Sequence, residues 1–464
     1  MIEFYIAKGG SNRNPGTKEQ PFATIEAAQD AVREQIASGL KESITVHINA
    51  GEYTTGGIRF DQRDSGTEQY PITYCGEGEV VLNGGLALNP AEFTVLTEEE
   101  RSRLHSDAAD KVVRIDLKKL GLKPEDWGRL CAVGNYNTAA MYDEGVTAPM
   151  WCELFYNDSR MTLARYPNEG YLYTLEPIRE GAGLGHEGKQ KMLKSEWEKM
   201  RNPLGDICKI DTDTMKRVAT WKTLKDVWTF GFPMYNWADA SSPIKSIDEE
   251  KCELETVYVS EYGIKIHAPY YFYNVFEELD APGEWYLNRE TGILYMYPSS
   301  ELEAADINLS VLTDNIVRFD GTSHVILKNI TFTGTRGDAL NLTGNCNVVE
   351  SCVIKNVAGN AAVINGEHCL VSGCHIHHTG KGGVIISGGD RSTLASSGNA
   401  VMNNHFHHIA QIFLTYQPAI SLGGVGCICS HNCIHDSAHM AIYFRGNEHI
   451  MEYNEIYDVC QFAD

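Results

Sequence analysis

The chain has 464 residues, 43% of them hydrophobic and 22% charged, enough apolar material for one large domain or two ordinary ones, which excludes a disordered chain. A formal net charge of −23 sets the surface against nucleic acid and anionic membranes, and no stretch approaches the roughly eighteen uncharged apolar residues of a spanning helix, so neither partner is expected. The 43 glycines and 23 tyrosines against 15 prolines favour short strands and tight turns over long helices.

The opening run MIEFYIAKGG enters a strand pattern directly, with no basic segment, apolar segment or cleavage site of a secretion signal. Together with thirteen cysteines, an odd number, this predicts a cytoplasmic chain with reduced, mostly buried thiols rather than a disulfide framework. Residues 21–37, PFATIEAAQDAVREQIA, place apolar residues at helical spacing behind a threonine, the pattern of an amphipathic helix covering the open end of a strand stack. Strand patterns follow at ITVHINAGEY (44–53) and YPITYCGEGEVVLNGG (70–85).

From 91 to 300 regular periodicity is lost. Charged helical stretches such as HEGKQKMLKSEWEKMR (186–201) alternate with strand patterns ending in GEWYLNRETGILYMYP (283–298). This segment is read as a β-rich insertion between residues 1–90, the cap helix and first coil, and residues 301–464, a regular stack. Its tryptophans and tyrosines are candidates for stacking on sugar rings, with core packing the commoner use.

The regular part repeats. ILKNITFTG (326–334), VESCVIKNV (349–357), SGCHIHHTG (372–380), NNHFHHIA (403–410), SHNCIHDSA (430–438) and MEYNEIYDV (451–459) align on Phe332, Ile354, Ile376, Phe406, Ile434 and Ile456, at separations of 22, 22, 30, 28 and 22 residues. A period near 22 with one apolar residue per coil predicts an all-β chain folded as a right-handed parallel β-helix. A second strand ends each coil in glycine: ALNLTG, AAVING, GVIISG, AISLGG and AIYFRG, read as tight turns. Insertions at 388–400 and 409–418 enlarge two coils, and such excursions commonly build a solenoid's binding face.

Strand alternation assigns the faces. Ile330, Cys352, Cys374, Asn404, Asn432 and Asn454 point inward with the apolar column, so the three asparagines are expected to bond up the stack. His377, His407 and His435 form one outward column between Lys355 and Tyr457, with His375 and His405 beside it and His378, His408, Asp436 and Asp458 at its edge. This strip is read as a hydrogen-bonding or substrate-contacting ladder. A metal centre is not expected, because ligands would have to converge to about 2.1 Å, and no cofactor is implied. Asp390, at the base of the first insertion, is a candidate site carboxylate whose competing role is to cap its own turn. Asp436 is a second, near His439 and Arg445, and Glu455 is held in reserve.

The motifs YIAKGGSNRNPGTKEQPFATIEAAQDAV, AGEY, DSGTEQYPITY, LNGG, GEWYLNRETGILYMYP, GGDR, AHMAIYFRGN and EYNEIYDVC, in that order, resemble the right-handed parallel β-helix glycoside hydrolases, especially glycoside hydrolase family 141. The resemblance covers the chain except for residues 100–280. It implies hydrolysis of plant cell-wall glycans, with fucosidase and xylanase activities, and an acidic segment after EYNEIYDVC whose first residue is matched by Asp464. A second acidic segment two coils later has no counterpart here, and Asp464 falls partway through a coil. The chain is therefore expected to be the N-terminal part of a longer protein.

Such chemistry needs two carboxyl groups about the glycosidic bond, about 5–5.5 Å apart for retention or about 6.5–9.5 Å for inversion. Asp464, Asp436 and Asp390 are the catalytic candidates. His408, His439, Arg445, His377, His407 and His435 are the candidates for binding an oligosaccharide or polysaccharide. Two other readings stand beside this one: a calcium-dependent polysaccharide lyase, with Arg445 as base, and a carbohydrate-binding solenoid without catalysis.

Overall fold

A computed structural model of the chain describes residues 1–134, 150–179 and 205–463. The expected helix at 186–201 and the candidate Asp464 lie outside the described residues. Two compact units are present: Met1–Leu86 with Leu309–Ile412 and Gln417–Phe462, and Ala87–Asn308 with Phe413–Tyr416.

The first unit is a three-faced parallel coil. One face stacks Ile58–Asp61, Val317–Asp320, Leu340–Thr343, Ala362–Asn365, Val384–Gly388, Ile420–Gly424 and Ile442–Phe444, all parallel. The other two faces are ladders joined through the long strand Ile72–Asn83, which pairs with both Val325–Lys328 and Thr331–Thr333. The predicted register holds at every step, Phe332↔Ile354, Ile354↔Ile376, Ile376↔Phe406, Phe406↔Ile434 and Ile434↔Ile456. The first five of these side chains are fully buried, whereas Ile456, in the last described coil, is 43% exposed.

The asparagine stack is also where alternation predicts it. Asn432 Oδ1 accepts from the Asn404 backbone N–H at 3.1 Å and side-chain amide at 3.0 Å, while Asn432 Nδ2 donates to the Val401 carbonyl at 3.0 Å. Asn454 repeats this below Asn432, accepting from its N–H at 3.1 Å and its Nδ2 at 2.9 Å. A second column at the next corner does the same work with mixed residues: Asn347, Asn399 and His449 accept from the backbone N–H of Val325, Cys369 and Cys427. Each turn thereby satisfies a buried amide that no strand partner reaches.

Of the five glycines ending the second strands, Gly344, Gly424 and Gly446 have the positive φ of the turns expected of them, at 126°, 81° and 120°, whereas Gly366 and Gly388 do not. A Cβ on Gly366 would lie 1.7 Å from the Gly344 carbonyl oxygen, and one on Gly388 1.9 Å from that of Gly366. Close approach of successive coils, rather than a left-handed backbone, excludes a side chain at these two positions.

The helix Ile25–Ala37 starts at Thr24, whose hydroxyl accepts from the Ala27 N–H, and buries Ile25, Ala28, Gln29 and Val32. Gln29 Nε2 donates to the Arg59 carbonyl at 2.7 Å, and Arg33 forms a bidentate pair with the buried Asp64 at 2.8 Å. Arg59 belongs to the first strand of its sheet, so the helix supplies partners to an edge that pairs with no earlier coil.

In the second unit the described strands are mostly antiparallel, with Trp228–Gly231 and Pro269–Tyr273 central to the largest sheet. Trp127, Trp151, Trp221, Trp228 and Trp285 are buried, so these five serve the core and not sugar stacking. Glu284, in the strand Glu284–Asn288, is 4% exposed and accepts from the backbone N–H groups of Arg165, Asp280 and Ala281. Burial pushes its carboxyl up from 4.5 to about 7. Between those values the unfolded chain loses this proton before the folded one does, so folding stability falls as pH rises through the window. Thermal unfolding is expected to show wild type losing stability from about pH 4.5 to about pH 7 and Glu284→Gln, with no proton to lose, following a flatter profile. Parallel profiles would remove Glu284 as the cause.

Candidate functional site

Three successive strands of one face, His375–Thr379, His405–Ile409 and Cys433–Ser437, place the histidines in register: His375↔His405↔Cys433 and His377↔His407↔His435. The rings stack along the coil axis. Centroids of His377 and His407 are 4.9 Å apart with planes 4° from parallel, and His407 follows onto His435 at 5.3 Å and His435 onto Tyr457 at 4.8 Å.

Hydrogen bonds then tie the columns diagonally. His375 Nε2 meets His407 Nε2 at 2.7 Å, and His407 Nδ1 meets His408 Nδ1 at 2.8 Å. One coil on, His405 Nε2 meets His435 Nε2 at 2.7 Å, and His435 Nδ1 donates to Asp436 Oδ2 at 2.7 Å. Neighbours i and i+1 face opposite sides of an ordinary strand. Here the second of each pair has a left-handed backbone, with φ of 53° at His378, 52° at His408 and 48° at Asp436, which turns its side chain back toward the first. Strand parity alone does not reveal these contacts.

Burial, reinforced by the neighbouring histidines, lowers His377 and His407 to about 3, so both are neutral imidazoles at physiological pH. Asp436 accepts a second bond from Gln461 Nε2 at 3.1 Å. The hydrogen bond from His435, then that from Gln461, holds its carboxyl below the ordinary carboxylate range. An open groove of about 330 Å³ runs beside the ladder, lined among others by His375, Asn403, His405, His431 and Cys433.

The structure thus brings together His377, His407, His408, His435 and Asp436 of the sequence candidates. Two others stand apart. Asp390 accepts from the Ser392 N–H at 2.8 Å, the Ser392 hydroxyl at 2.7 Å and the Thr393 hydroxyl at 3.0 Å, so it caps its own loop, beyond the strand Val384–Gly388 of a different face. Arg445 is exposed on that other face too, its guanidinium 5.1 Å from the Tyr443 ring centroid. His439 is only 5% exposed, its carbonyl accepting from the Cys460 N–H at 2.9 Å. A second aromatic cluster, in the other unit, includes three of the residues read as candidates for sugar stacking: Tyr235 and Trp237 stack at 4.9 Å, and Tyr262, with Tyr416, meets Trp237 edge-on.

Residues 315–463 match the family described as the right-handed beta helix region. The uncharacterized protein YwoF of Bacillus subtilis (strain 168) is 31% identical over 133 residues, 28% of this chain and 25% of that protein, so the match spans a quarter of the curated relative's length. Among solved structures, a glycoside hydrolase superposes with a TM-score of 0.61 at 14% identity, covering 98% of this chain and 97% of that one. The structure of XylC with xylose superposes with a TM-score of 0.51 at 12% identity, covering 98% and 63%. At such identities the likeness is one of fold, and with the register described above it makes this chain a right-handed parallel β-helix protein with an inserted, mostly antiparallel unit.

Proposed function

We propose that the chain is a glycoside hydrolase acting on plant cell-wall glycans, fucosidase- or xylanase-like, with Asp436 as one of its two carboxylates. The observation that carries the reading is the position of Asp436: a part-exposed carboxylate at the end of a histidine ladder, oriented by His435 and Gln461, on a fold shared along nearly its whole length with a glycoside hydrolase. A carboxylate that accepts two hydrogen bonds suits the ionised role, attacking the sugar or activating water. Asp464 is proposed as the other carboxylate on the resemblance to family 141. His377, His407, His408 and His435 offer ring nitrogens to sugar hydroxyls along the strip. All thirteen cysteines are free thiols, which suits a reducing compartment.

The test is release of sugar from aryl fucosides, aryl xylosides and xylan. Turnover without added calcium supports the proposal. Binding without turnover would instead favour a carbohydrate-binding solenoid, and calcium-dependent unsaturated products would favour a lyase.

A further inference from the structure

The ladder also carries a metal-donor set, which shares His435 with the proposed sugar-binding strip and adds His405 and Cys433. One donor atom each of His405, Cys433 and His435 lie within 4.8 Å of one another, all on the outward side of adjacent strands. His435 is prepared as a ligand. Its Nδ1–H is committed to Asp436 at 2.7 Å, so in the neutral ring the Nε2 lone pair is the one facing His405 Nε2, also at 2.7 Å. A carboxylate on the far nitrogen of a histidine is the arrangement that fixes tautomer and ring direction in metal sites. The groove beside the ladder leaves His405 and Cys433 open to solvent.

We infer that His405, Cys433 and His435 bind one divalent transition-metal ion of the zinc or cobalt class, with Asp436 as the carboxylate that positions His435. Two imidazoles and a thiolate select a borderline ion over calcium or magnesium, which prefer oxygen donors. Zinc holds nitrogen at about 2.0–2.1 Å and sulfur at about 2.3 Å, so the two imidazole nitrogens, now 2.7 Å apart, part slightly while the thiolate closes around the ion, leaving a fourth position to water. On binding, the Cys433 thiol proton leaves to solvent and the proton shared by the two Nε2 atoms moves to the far nitrogen of His405. The inference does not depend on the glycosidase reading.

The experiment is titration of the full chain with Co²⁺, followed by absorbance. A near-ultraviolet thiolate-to-cobalt charge-transfer band at one ion per chain is expected, displaced by Zn²⁺ and unaffected by Ca²⁺. Cys433→Ser, a near-isosteric change at a partly exposed position, should abolish the band with the fold intact by circular dichroism. His435→Gln should weaken binding, and Asp436→Asn should weaken it about 10- to 100-fold. Cys460→Ser, which removes an exposed thiol elsewhere, should change nothing. A band that survives Cys433→Ser, or that disappears with Cys460→Ser, overturns the inference. So does cobalt binding without a thiolate band that is lost on His375→Gln or His407→Gln, which would place the ion on the neighbouring set of His375, His405 and His407.

Discussion

Asn432→Leu is expected to lower the unfolding free energy of the coil by about 4 kcal/mol. Leucine branches at the same atom and is no smaller, so the effect is one of lost hydrogen bonds rather than of a cavity. The substitution leaves the Asn404 N–H without its acceptor and the Val401 carbonyl without its donor, both inside the stack, where Asn432 itself is 1% exposed. A buried backbone group stripped of its partner costs about 1–3 kcal/mol, and two are stripped here. Denaturant unfolding followed by circular dichroism checks the figure. Asn454→Leu should cost less, because Asn454 is only partly buried and water can replace the lost partner. A loss below about 1 kcal/mol for Asn432→Leu would mean that the ladder follows the stack without holding it together.

Asp436→Asn is expected to reduce kcat/KM on the hydrolysed glycoside by about 10²–10⁴-fold. The amide is nearly isosteric and still accepts a hydrogen bond from His435, so binding of the sugar should change little and the loss should fall on kcat. Asp390→Asn is expected to leave the rate close to wild type, since that carboxylate is occupied by Ser392 and Thr393 in its own loop. The reverse ranking would move the reaction to the other face of the coil.

The architecture of the first unit was legible because its signal is one-dimensional. Each inward residue meets the equivalent residue one coil away, so spacing alone predicted that Phe406 sits on Ile376 and Asn432 on Asn404. The site was legible only in part. Parity placed the histidine columns correctly, but the bonds between sequence neighbours depend on left-handed residues at His378, His408 and Asp436, and no feature of the repeat sequences distinguishes those from extended ones. Asp390 and Arg445 were drawn in by their place beside an insertion and at a strand end, although nearby serine, threonine and tyrosine side chains engage them. The second ladder at Asn347, Asn399 and His449 was missed because it alternates with Cys369 and Cys427 and so shows no repeated residue. In the inserted unit no period exists to read, and its strands are ordered by contacts distant in sequence, such as Trp228 against Tyr273.

The central claim, that sugar is hydrolysed at the ladder, is tested most directly by recording the histidine ring signals of the chain by NMR while a hydrolysed glycoside is titrated into the slow Asp436→Asn variant. The expected result is saturable shifts of His407, His408 and His435, assigned through single His→Gln variants, with the signal of His47, on the strand Ile44–Thr54 at the N-terminal end of the same coil stack, unmoved. Saturable binding that leaves every ladder ring unshifted, in a chain that still turns the glycoside over as wild type, would contradict the account and place the reaction elsewhere in the molecule.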